Sequence, residues 1–203
     1  MIAPDPSTVL EFFETFVALA KRSLNGHAAP GLLQMCRKNP NDDDLIPIRY
    51  RLDGTALAER MTHDALVDSG AGHNVYIEGR LVDFALKGKK RGEFEETVCV
   101  FALVVDSDFD KQMGWNPPAG LRPTLTVETS PGNAQHWFFF ERALLPVRAK
   151  SLGEGLRQTT GGDSDTGNVT QPYRVPGTVN YPNKAKIGRG RVITPTSFLG
   201  ATA

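Results

Sequence analysis

Residues 97–105, TVCVFALVV, form an almost unbroken β-branched and apolar run that ends in two carboxylates, Asp106 and Asp108. So apolar a run has no solvated face, which suits a central strand covered on both sides. A strand has period two, so Asp106 and Asp108 point to the same side of the sheet, with Cβ atoms roughly 7 Å apart. Carboxylates held that close repel each other, and desolvation beside a buried run sharpens the repulsion. A cation between them would relieve it. Hard divalent ions such as Mg²⁺ or Mn²⁺ take carboxylate oxygens and tolerate shared ligation with phosphates. The plainer alternative is a strand end emerging into solvent, where Asp is a common turn residue.

The C-terminal segment carries the opposite charge. After Asp165 no acidic residue occurs, whereas Arg174, Lys184, Lys186, Arg189 and Arg191 are all basic. A Gly- and Asn-rich segment of this kind suits phosphate groups. It could equally be a solvated loop that balances the acidic first half.

The rest of the chain builds around the apolar run. Asp5 and Pro6 read as the N-cap and first position of a helix whose Val9, Phe12, Phe13, Phe16 and Ala20 share one face. A polar loop at 37–44 precedes a strand from Leu45 to Leu52 and a helix from Thr55 to Val67, which the glycines at 70 and 72 end. A short strand follows at 74–78, and KGKKR at 87–91 is a basic loop. Leu121–Thr129 and Gln135–Glu141 read as strands joined by a turn at 130–133. A helix is expected between Pro146 and Gln158, weakened by two glycines, and from Gly161 onward loops with short strands should dominate. The class is α+β, with an antiparallel or mixed sheet and no internal repeat.

Several functions are disfavoured. The 203 residues make one domain, or one with a small annex, and 23 basic against 23 acidic residues argue against a wholly basic surface. The longest apolar stretches fall short of a membrane span, and the N-terminus lacks the pattern of a signal peptide. Cys36 and Cys99 are the only cysteines, too few for a disulfide framework or a four-cysteine zinc site. Cys99 reads as a core thiol, and a reducing cytoplasm is the expected compartment. No P-loop motif occurs. His27, His63, His73 and His136 are scattered, unlike the paired histidines of rolling-circle nucleases. Metal-dependent phosphate-ester hydrolysis is compatible with the carboxylate spacing.

Three segments occur in a telling order: VVDSDFDK at 104–111, SPGNAQHWFF at 130–139 and DSDTGNVTQPYRVPGTVNYPNKAK at 163–186. With HNVYI at 73–77 and Arg80, they resemble the primase-polymerase (prim-pol) domains of the archaeo-eukaryotic primase superfamily, in particular the RepB-like primase domains of plasmids, phages and mobile elements. The resemblance covers roughly residues 70–191, and RVPGTVN with its downstream lysines is its most specific part. It implies an RRM-like palm with a mixed or antiparallel sheet plus a small accessory α/β element. Residues 1–203 would form one catalytic domain, with 1–70 as a helical accessory part and 71–195 as the catalytic core.

The implied activity is template-directed nucleotidyl transfer, that of a DNA primase or DNA polymerase, with two Mg²⁺ or Mn²⁺ ions. Asp106, Asp108 and Asp163 match the metal ligands, with Asp165 a close competitor for the third place. His136, Arg174 and Lys184 match nucleotide-binding positions. Ser130 stands six residues before His136, where the family often has Ser-x-His. The implied partners are a single-stranded DNA template, NTPs or dNTPs, and a helicase in the same or another chain, with no membrane. The KGKKR loop is a candidate template grip. The alternative is a non-catalytic DNA-binding replication-initiator domain of the same fold.

Overall fold

Residues 2–88, 90–108, 117–162 and 164–201 are described by the computed structural model. The chain opens with α1 (Pro6–Ser23), capped by Asp5 as its sequence predicts. Asp5 Oδ1 accepts from the Ser7 hydroxyl (2.6 Å) and from the backbone N–H groups of Ser7 (3.0 Å) and Thr8 (3.4 Å), and its Oδ2 from the Thr8 hydroxyl (2.7 Å). These bonds hold the Asp5 carboxyl down at about 2, the Ser7 hydroxyl contributing most. The stability they contribute is therefore present above pH ~4 and fades as the pH falls towards 2.

Val9, Phe12, Phe13, Phe16 and Ala20 are all fully buried. Phe16 meets Phe101, Trp137 and Phe139 edge-on, with ring centroids 5.6, 5.4 and 5.3 Å away. Tilted and edge-to-face contacts of this sort add to the area the rings bury. They fasten α1 to the centre of the sheet.

The strands are β1 (Leu32–Lys38), β2 (Leu45–Arg51), β3 (Asn74–Val82), β4 (Thr97–Asp108), β5 (Leu125–Ser130), β6 (Asn133–Leu144), β7 (Tyr173–Arg174), β8 (Val179–Asn180), β9 (Thr194–Pro195) and β10 (Ser197–Ala201). The helices after α1 are α2 (Leu57–Gly70), α3 (Pro146–Thr160) and the single turn α4 (Lys184–Ile187). The main sheet runs β10-β5-β6-β4-β3-β1-β2, with β7 added on β3, while β8 and β9 pair apart. Every ladder among the described residues is antiparallel. As the apolar run predicts, β4 is interior, with Val100 to Val105 all buried.

One strand escapes the sequence pattern. β1 contains Gln34, a polar residue at a fully buried position. Its amide is satisfied on both ends: Nε2 donates to Glu78 Oε1 (3.1 Å) and the Arg91 carbonyl (2.7 Å), and Oε1 accepts from Arg49 Nε (3.0 Å). Those partners lie far away in sequence, so no local signal marks the strand. β1 and β2 pair into the same sheet as β3, so the first 70 residues supply two strands of the main sheet itself.

The feature that shapes the site is a split between β3 and β4. They pair only where Arg80–Val82 meets Thr97–Val100. Beyond that point the strands diverge and a later segment enters the gap. Tyr173 and Arg174 pair with Ile77 and Tyr76 of β3. On the other side, the Gly167 N–H donates to the Val104 carbonyl (2.8 Å) and the Asp106 N–H to Thr166 Oγ1 (3.1 Å).

The two glycines that weaken the α3 pattern differ in role. At Gly153 a Cβ would lie 2.1 Å from the Gly167 carbonyl oxygen, so the loop passes with backbone against helix backbone. Gly155 has open space around it. No helix among the described residues is long and apolar enough to cross a membrane.

Because Phe16 joins three rings of two strands, Phe16→Ala should destabilise the protein by about 3–5 kcal/mol, read as a lower urea midpoint at unchanged slope.

Candidate functional site

In an antiparallel ladder, partnered residues put their side chains on the same face. Asp106 is opposite Gln135 and Asp108 opposite Asn133, while Val105 is opposite His136 and Ser107 opposite Ala134. Asp106 and Asp108 therefore share a face with Gln135 and Asn133, as the spacing predicts for the two carboxylates. A cleft of about 240 Å³ opens on this face, and Asp165, Arg174, Lys186 and Arg191 also line it. The split sheet thus brings the acidic strand end and the basic C-terminal segment together.

Both arginines are held by their neighbours. Arg174 lies with its guanidinium 5.1 Å from the centre of the Tyr76 ring, and its Nη1 donates to Asn74 Oδ1 (2.7 Å). Its backbone N–H donates to Gln135 Oε1 (2.9 Å), which ties the inserted strand to β6. Asn74 is buried and also bonds both backbone groups of Tyr181 (2.8 and 2.9 Å). Arg191 places Nη2 3.6 Å from Asp108 Oδ1 and donates from Nη1 to Ser130 Oγ (2.9 Å). Ser130 Oγ accepts as well from Asn133 Nδ2 (2.8 Å). Lys186 belongs to α4, whose cap is Asn183.

The donor chemistry suits a divalent ion held jointly with a ligand. Mg²⁺ is usually bound through one or two carboxylates, waters and substrate phosphates, not in an all-protein cage. Asp106 and Asp108 provide the two carboxylates, and the surrounding cations suit the phosphates. Among the described residues, which leave out Asp163, no three His, Cys, Asp or Glu side chains form a metal-holding group.

The other predicted positions fall differently. Asp163 lies outside the described residues. His136 is on the reverse face of the sheet, where Nε2 is 3.2 Å from Ser107 Oγ and Nδ1 3.5 Å from Thr126 Oγ1. It is only 8% exposed, and burial pushes its imidazole down to about 4. Lys184 is exposed on α4 and is not among the residues lining the cleft, whereas Lys186, one half-turn on, is.

The basic loop is more pinned than its composition suggests. Arg49 donates to the carbonyls of Gly88 and Lys90, and Arg80 to those of Gly92 and Glu93. Arg91 is paired with the buried Glu78 (2.9 Å) and donates to the Thr170 carbonyl, next to Gln171 of the cleft wall. Lys87 and Lys90 are exposed, and Lys89 lies outside the described residues.

Sequence reasoning passed over Asn133 and Gln135 as cleft residues and gave Ser130 no role because of its spacing from His136. The signal was there: Asn133 and Gln135 alternate on one face of a strand, and His136 necessarily takes the other. Which face meets the carboxylates depends on register between strands.

Residues 55–192 match the family of the RepB DNA-primase N-terminal domain. Among solved structures, the AEP domain of the cyanophage S-2L primase-polymerase (PrimPol) superposes with a TM-score of 0.58 at 15% identity, over 99% of this chain and 92% of that one. The catalytic domain of the primase RepB', solved in complex with initiator DNA, gives 0.53 at 18% identity over 92% and 85% of the two chains. A RepB' primase structure gives 0.50 at 18% identity, over 92% of this chain and 56% of that one. At these identities the likeness is one of fold, and it agrees with the expected archaeo-eukaryotic primase architecture. No curated protein matches in sequence.

Two outcomes follow from the geometry. His136, depressed from its ordinary 6.5 to about 4, should stay neutral at pH 6–8 in an NMR titration of its ring. The sign is that of a group protonated more readily when unfolded, so stability should fall as the pH drops from ~6.5 towards 4. Gly153→Ala should push the 164–168 loop off α3 and lower the melting temperature, since its Cβ would overlap the Gly167 backbone.

Proposed function

The chain belongs to the RepB DNA-primase N-terminal domain family, and on that premise we propose that its cleft performs template-directed nucleotidyl transfer, making or extending primers. The observation that carries this reading is the meeting of Asp106 and Asp108 with Arg174, Lys186 and Arg191 in one small polar cleft. Acidic residues alone would repel a triphosphate, and basic residues alone would bind one without activating it. Together they accommodate a metal–triphosphate complex.

Asp106 and Asp108 would hold Mg²⁺ or Mn²⁺, with Asp165 or Asp163 as the third carboxylate. Two such ions, when bound, lower the pKa of an attacking 3′-hydroxyl and neutralise the triphosphate. The protein supplies orientation. Arg174, fixed by Tyr76 and Asn74, presents its guanidinium to phosphate oxygens at little cost in side-chain order, and Lys186 adds a second point charge. Lys184, exposed on α4, extends the positive field at the rim. His136 acts as a positioning residue through Ser107, which lies between the two carboxylates on β4.

The RepB' relative bound to initiator DNA supports a DNA partner for this chain too. The template would be single-stranded DNA, with NTPs or dNTPs as substrates. Since Arg91 is committed to Glu78, the exposed Lys87 and Lys90 are the template contacts of the basic loop. Unwinding would fall to a helicase.

The test is incorporation of labelled NTPs and dNTPs on a single-stranded template with Mg²⁺ or Mn²⁺. The Asp106→Ala/Asp108→Ala double variant should lose incorporation while keeping its circular dichroism and DNA binding. Unchanged activity in that variant would reject the scheme. Wild type that binds DNA yet incorporates nothing would point to the initiator-domain reading. Asp163→Asn and Asp165→Asn, assayed side by side, identify the third carboxylate as whichever loses activity. Lys87→Ala/Lys90→Ala should weaken DNA binding and flatten its salt dependence.

A further inference from the structure

The Arg191–Asp108 contact has a consequence for loading of the cleft. Asp108 carries a charge that must be compensated, and the guanidinium of Arg191 stands 3.6 Å from its Oδ1. Hydrogen-bonded guanidinium–carboxylate pairs are shorter, at about 2.7–2.9 Å, so this contact is chiefly electrostatic. Arg191 also donates to a neutral partner, Ser130 Oγ, at 2.9 Å. Both side chains are partly sheltered, with 33% exposure for Arg191 and 19% for Asp108, so solvent screens the pair incompletely.

The turn that carries Arg191 is fixed on both sides. The Arg191 N–H donates to the Lys186 carbonyl (3.0 Å), closing a turn through Gly188 and Gly190. Asn183 caps α4 before the turn, and β9 pairs with β8 after it. The side chain therefore hangs from a turn anchored at both ends.

We propose that Arg191 and the divalent ion compete for Asp108: without metal the guanidinium holds the place of the cation, and on loading it turns to the triphosphate. The inference rests on the proposed metal–nucleotide reading of the cleft. A divalent ion taking Asp108 Oδ1 and a guanidinium 3.6 Å from that same oxygen repel each other, and away from bulk water the repulsion is strong. Once the ion brings phosphates, the displaced guanidinium has a better partner, since it can bond two phosphate oxygens at once. Ser130 keeps it in the cleft meanwhile. Arg191 would thus disfavour metal alone and favour metal with nucleotide, so that the two load together.

The two roles give effects of opposite sign. Mn²⁺ binding is measured on the full chain by electron paramagnetic resonance without nucleotide, and dNTP binding by equilibrium dialysis with saturating Mn²⁺. Arg191→Ala should bind Mn²⁺ alone more tightly, on the order of tenfold, and dNTP–Mn²⁺ more weakly by a similar factor. Arg191→Gln, which can still bond Ser130, should show the same signs and serves if the alanine variant does not fold. A variant that weakens both, or leaves Mn²⁺ affinity unchanged, overturns the proposal, since a merely structural Arg191 would do one or the other. Failure of the underlying reading looks different: wild type would then show no Mn²⁺ binding that depends on Asp106 and Asp108.

Discussion

The separation of β3 from β4 is the constraint on which the rest depends. After a short stretch of pairing the strands part, leaving backbone donors and acceptors on both inner edges. Buried groups of that kind must find partners. The C-terminal segment provides them, with Tyr173 and Arg174 on β3 and Thr166 and Gly167 on β4. In filling the gap it carries Asp165 and Arg174 beside Asp106 and Asp108. Backbone hydrogen bonding and site assembly are one event here, so a change that loosens the insertion should disturb both.

A buried ionic network supports the insertion from beneath. Glu78 and Arg80 are fully buried and joined at 2.6 Å, and Arg91 adds a second cation to Glu78. A buried ion pair contributes little net stability when complete, but removing one partner leaves an uncompensated charge at high cost. What the network provides is placement. Arg91 links Glu78 to the Thr170 carbonyl, Arg49 holds carbonyls of the basic loop, and Arg80 holds those of Gly92 and Glu93 just after it. Loop positions that composition would leave open are thereby set relative to the cleft wall.

The carboxylate pair and the cationic segment compensate each other across the cleft, which explains how a chain of zero formal charge concentrates both signs in one place. Asp108 meets Arg191, and Ser130 and Asn133 connect that pair to the β5–β6 turn. The same charges that balance in the protein alone are those a metal and a triphosphate would engage.

Local features were legible in the chain, since their physics is local. The Asp5 cap, the aromatic stripe of α1, the interior β4 and the common side of Asp106 and Asp108 follow from periods of 3.6 and 2 and from capping chemistry. The basic excess after Asp165 was equally plain, and it does meet the carboxylates. What the chain alone could not reveal was every relation between distant elements: β1, hidden by a buried Gln34 whose partners are remote; Gln135 and Asn133 in the cleft in place of His136; Lys186 lining it and not Lys184. A one-residue change in register exchanges the faces of a whole strand. Only the tertiary structure, by pairing residues 102–108 of β4 with 133–139 of β6 and inserting the later segment beside them, decided which side chains meet.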